Sequence, residues 1–172
     1  MLSEPTPVDP EVAAATFSRH LDAFWQGLRA DRSDWELYRI DDLNVVIKLY
    51  AVRSDGVRED YYLKLGANFY DSWPPLAWFV KPNDWSQADP GSQWWPKLAT
   101  TPTWFGLHAS YPYRDGSQRP LLCFTHCAQY YQTNHAPEEH TVWKQGRHTL
   151  AMTVNRVAEI LRPPYYAGRS DI

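Results

Sequence analysis

Both cysteines of the chain and two of its six histidines fall within PLLCFTHCAQYYQTNH, residues 120–135. Cys123, His126 and Cys127 give the spacing Cys-x-x-His-Cys, with His135 and His140 following. Three readings fit these residue types. A cysteine thiolate can accept an acyl group while nearby imidazole or amide groups serve as polar helpers. Cysteine and histidine together can hold a tetrahedral zinc. Free cysteine is also among the most buried residue types, so both thiols can simply be packing groups. The zinc reading matches in part: His135 and His140 have the His-x3–5-His spacing, but a histidine stands between the two cysteines. Cys123 is the first candidate nucleophile and Cys127 the second; in a helix their i, i+4 spacing would put both on one face.

Other catalytic signatures are missing. The sequence has no G-x-S-x-G elbow, no P-loop and no G-x-G-x-x-G. Glu138 and Glu139 fit a solvated loop, and the basic residues from Lys144 to Arg147 are too few for nucleic acid. A net charge of −3 and a pI near 6.0 point the same way, since a nucleic-acid module carries a basic stripe. No apolar run is long enough for a membrane span. MLSEPTPVDPEV lacks the basic and apolar regions of a secretory leader, so reduced thiols in a cytoplasmic protein are expected.

The elements that would position these residues follow from periodicity. Asp9 is an N-cap candidate before Pro10 and Glu11, and Phe17, Leu21, Phe24 and Leu28 form one apolar stripe, which predicts an amphipathic helix. Alternation through Val45, Ile47 and Leu49, a turn at Ser54-Asp55-Gly56, and alternation through Tyr61, Leu63 and Leu65 predict a hairpin, preceded by a strand near residues 35–40. Pro74-Pro75 leads to a fourth strand, residues 76–80. Residues 1–8 are expected to be a loose tail, and residues 81–107 a long loop with one short helix. Asp115-Gly116 marks a turn. Leu150, Val154, Val157 and Leu161 predict a C-terminal helix that Pro163 and Pro164 stop. The fold class is α+β, one domain over 1–172, with a helix packed on a four-stranded antiparallel meander.

Aromatics make up 15% of the chain, with nine Trp. The default for so many rings is a core built from them. Trp94, Trp95 and Trp104, in the loop with Trp85, are the candidates for a partner-binding surface, where Trp is enriched.

In element order, over about residues 10–165, the chain resembles the ubiquitin-conjugating enzyme (UBC-like) family. FYDSWPPLAWFV is similar to that family's double-proline turn and fourth strand. HASYPYRDGSQRPLLC is similar to its histidine-to-cysteine segment, and TVWKQGRHTLAMTVNRVAEILRPP to its Trp loop and following helix. The divergence is similar to that of bacterial members found in antiphage-defence operons. The resemblance implies a UBC-like fold with residues 81–107 as a Trp-rich insertion. It also implies a carrier that forms a thioester at Cys123 and passes the acyl group to an amine. The acyl donor would be a ubiquitin-like protein or the C-terminus of a cyclic-oligonucleotide synthase, with an activating enzyme and a target protein as further partners and no cofactor or metal. His108-Ala109-Ser110 stands where the family has His-Pro-Asn, so the oxyanion donor is open among His108, His126, Asn134 and His135. The alternatives are a catalytically inactive UBC-like binding module and a zinc-stabilised domain.

Overall fold

A computed structural model describes residues 3–172 of the chain. Helix α1 spans Pro10–Gln26; the Asp9 carboxylate accepts from the Glu11 and Val12 amides at 3.0 and 3.2 Å, closing two of the free N–H groups of its first turn. Four strands follow: β1 (Glu36–Arg39), β2 (Asn44–Val52), β3 (Arg58–Gly66) and β4 (Leu76–Phe79). They form one antiparallel sheet in chain order, with Ile47 opposite both Leu37 and Leu63, and Leu65 opposite Ala77. The α+β class, N-terminal helix, four-stranded sheet and C-terminal helix are therefore as the periodicity indicates.

The C-terminal helix α3 spans Leu150–Ile160, capped by the Thr149 hydroxyl on the Ala151 amide. Its expected stripe, Leu150, Val154, Val157 and Leu161, is fully buried against the core that includes Phe17 and Leu21 of α1 and Ile47, Leu49 and Leu63 of the sheet. Each such side chain contributes about 2 kcal/mol by leaving water. Among the described residues no helix is long and apolar enough to cross a membrane.

Most of the expected loop over 81–107 is turns and irregular chain, but short paired segments tie it to the rest of the fold, and no helix forms there. Val80 bridges Gln87, and β5 (Pro96–Leu98) pairs with β8 (Tyr166–Arg169) from the far end of the chain. Trp95 explains why this stretch does not float free: its ring is 4% exposed and packs edge-on against Phe79 of the sheet. Tyr166 anchors the other strand, its hydroxyl 2.8 Å from that of buried Tyr61. The loose tail is corrected in part as well. Residues 1 and 2 lie outside the described residues, but Pro5 is buried and the Val8 amide donates to Asn68 O at 2.9 Å.

A second hairpin carries the cysteine. Strand β6 (Gly106–Pro112) pairs with β7 (Gln118–Cys123), and the Asp115-Gly116 turn joins them. Gly116 has φ 86°, a backbone conformation a side chain disfavours, and the Asp115 carboxylate accepts from the Ser117 amide at 2.9 Å. A single helical turn, α2 (Ala128–Tyr131), follows.

A candidate cysteine–histidine active site

Cys123 is the last residue of β7, half-buried and facing Gly106 across the hairpin. That glycine matters: a Cβ there would lie 3.0 Å from His108 Nε2 and 3.5 Å from Cys123 Cβ. A larger residue would press on both side chains.

The Cys123 sulfur lies 3.3 Å from Nε2 of His135. The imidazole is held between two rings, with Tyr130 on one side (centroids 4.6 Å apart, 22° between planes) and Tyr111 on the other (5.1 Å, 21°). The residues that place it come from separate elements. Tyr111 is on β6 and Tyr130 on α2, while Arg114, next to the hairpin turn, ties the segment after α2 in place through its amide to Gln132 O at 3.0 Å and its Nε to Thr133 O at 3.1 Å.

The hydrogen bonds fix the tautomer of His135. The buried Thr133 hydroxyl lies 2.6 Å from Tyr130 O and 2.5 Å from His135 Nδ1. A carbonyl only accepts, so the hydroxyl proton belongs to Tyr130 O, and Thr133 Oγ1 must accept from Nδ1–H. Nε2 then carries the lone pair, and two donors face it: the Cys123 thiol and the Tyr111 hydroxyl, the latter 3.2 Å away. Burial lowers the His135 pKa, with His108 adding repulsion, and burial pushes the Cys123 thiol up to about 11. The resting pair is thus a neutral thiol beside a neutral imidazole, a nucleophile with its base in contact.

Both groups open onto a cavity of about 770 Å3 walled by Trp104 and Phe105, by the segment from His135 to Thr141, and by Met152 and Arg156 of α3. Arg156 lies over the Trp104 ring at 4.4 Å. The Glu138 carboxylate and His140 Nε2, 3.2 Å apart, sit in the open rim.

The other residues singled out in the sequence take different places. His108 is on β6 with its ring 4.8 Å from Tyr111. His126 is buried elsewhere in the cavity wall, 5.1 Å from the His148 ring and 6.0 Å from Trp143; burial first, then His148 and Arg156, lowers its pKa to about 4. It does not meet Cys123 through any hydrogen bond. Asn134 is exposed. Cys127 does not share a helix face with Cys123, because it precedes α2 as its N-cap; its sulfur is sealed, 2.7 Å from Gln129 Oε1. Among the described residues no three His, Cys, Asp or Glu side chains come together as a metal site. Of the three tryptophans, Trp95 is core, as above, while Trp94 and Trp104 are only partly buried.

Sequence reasoning passed over Thr133, Tyr111 and Gly106. Thr133-x-His135 was a usable local signal, since a hydroxyl two residues before a histidine can reach its ring; Tyr111 and Gly106 carried none, because only strand pairing brings them to Cys123. Neither the models of protein families nor the curated proteins give a match to this chain.

Proposed function

We propose that the chain is a cysteine acyl carrier of the ubiquitin-conjugating type, with Cys123 as nucleophile and His135 as its base. The observation that carries this reading is the 3.3 Å contact between Cys123 Sγ and His135 Nε2, with Nδ1–H held by Thr133. The order of helix, four-stranded antiparallel sheet, cysteine hairpin and C-terminal helix supports the UBC-like assignment.

In the first step Nε2 takes the thiol proton as sulfur attacks the donor's thioester carbonyl. The donor thiolate leaves with that proton, and the acyl group remains on Cys123. In the second step an amine attacks the new thioester, a C–N bond forms, and the Cys123 sulfur leaves and recovers a proton. Both steps pass through a tetrahedral oxyanion. The Tyr111 hydroxyl, already beside Nε2, is the donor placed to meet it; one such donor is worth about 3 kcal/mol. The cavity beside the thiol, with Trp104, Phe105 and Met152 in its walls, has room for the terminal residues of a ubiquitin-like protein or of a cyclic-oligonucleotide synthase. A bacterial defence role follows the same resemblance.

The test is adduct formation with an activating enzyme and its acyl donor. Wild type should give an adduct cleaved by thiols, Cys123→Ala none, and Cys123→Lys an amide adduct that thiols leave intact. His135→Gln should slow the first step by about 100-fold or more, as expected for loss of a general base. An adduct that survives in Cys123→Ala would overturn the assignment. A normal rate in His135→Gln would remove the base but leave the nucleophile.

A further inference from the structure

Along the adjacent face of α3 lies a second cavity, about 450 Å3, lined by Arg29, Asp31 and Arg32 on one side and Asn155, Glu159 and Arg162 on the other. Its lining shares no residue with that of the Cys123 cavity. Arg32 is the unusual group. Only 9% of it is exposed, its Nη1 donates to Asn155 Oδ1 at 2.6 Å, its guanidinium lies 4.6 Å over Trp35, and its Nε is buried with no acceptor.

A buried guanidinium stays charged and is costly unless a counter-charge meets it. None does here. Both carboxylates in the cavity wall are taken by other arginines, Asp31 by Arg29 at 3.2 Å and Glu159 by Arg156 at 3.5 Å. Arg162 rests over the Tyr50 ring at 4.9 Å, and among the described residues no carboxylate forms an ion pair with it or with Arg32. Burial, then the positive charges of Arg29 and Arg162, lower the Arg32 pKa, with Asp31 opposing, so Arg32 feels both other cations. The wall thus sets three guanidinium groups against two carboxylates, a net positive concavity in a chain of net charge −3.

We propose that this cavity binds a small phosphorylated ligand, with the phosphate held by the guanidinium groups of Arg29, Arg32 and Arg162. Planar arginine forks pair two oxygens at a time, and a phosphate dianion supplies more charge than a single carboxylate where guanidinium groups outnumber the acids. The volume lies in the range of small-molecule sites and exceeds what a bare phosphate would fill, which points to a phosphate ester or diphosphate.

The test is calorimetric titration of the full chain with inorganic pyrophosphate at ionic strength fixed with potassium chloride. Wild type should bind saturably, with one site. Arg162→Gln, a half-buried position outside the core, should weaken binding at least tenfold, and Arg29→Gln should weaken it too. Arg32→Gln should abolish it; should that variant not fold, the other two decide. Cys123→Ala should bind as wild type, which separates this site from the acyl-carrier reading. No saturable heat with wild type, undiminished binding in Arg162→Gln, or citrate binding as tightly as pyrophosphate would each overturn the proposal.

Discussion

Cys123 and His135 are twelve residues apart, and neither residue alone announces the pair. The thiol is pushed up to about 11 by burial, so at neutral pH it stays protonated and needs its base in contact to react. The pH dependence follows with a definite sign. Alkylation by neutral iodoacetamide should rise about tenfold per pH unit from 7 to 10, because each unit exposes tenfold more thiolate below a pKa near 11. Acyl transfer should behave differently. It needs neutral His135, whose pKa is lowered, so the rate should fall with acid only at a pH below the ordinary imidazole range. Stopped-flow rates on wild type and His135→Gln check both limbs; an alkylation rate already level at pH 7 would mean a resting thiolate. The cysteine was legible in the sequence as a candidate because cysteine is rare here. Its partner was one of several neighbouring histidines, and the choice among them rests on Tyr111 and Thr133, contacts that depend on strand register and on where α2 ends.

At the level of elements, the periodic segments were readable and the aperiodic ones were not. Both helices and the sheet bury one stripe or one face, and that leaves a repeat in the sequence. Strands β5 and β8 have only 3 and 4 residues and pair across most of the chain, so no local period records them. α2 is equally opaque, yet it performs a specific task. The Gln129 side chain binds Ala77 of β4 as a strand would, its Oε1 accepting from the Ala77 amide and its Nε2 donating to Ala77 O, both at 3.1 Å. The Ala128 amide adds a bond to Pro75 O at 3.0 Å. Gln129→Ala would leave two buried backbone groups unpaired and should cost about 2–4 kcal/mol in urea unfolding. Gln129→Glu should cost at least as much, because its carboxylate would face the Ala77 carbonyl.

Over the whole molecule, aromatic rings join parts that are distant in sequence, and their burial separates the structural tryptophans from the partly buried ones. Trp95→Ala should destabilise by about 3–5 kcal/mol, as for any large ring lost from a packed core. Trp94, which lies against Tyr62 and under Arg169, is only partly buried, and its replacement should cost about 1 kcal/mol. Equal losses for the two, measured by thermal unfolding, would contradict this division. The Gln129 amide has a further consequence at this scale. A sheet normally offers its outermost backbone as a template on which another chain can add itself. Here one rim is already occupied by a side chain posing as a neighbour, and the other is only four residues long and carries Glu36 and Arg39. Among the described residues the four-stranded sheet therefore has no long bare border along which copies could zip together, and that sheet should resist strand-by-strand growth as long as the glutamine stays in place.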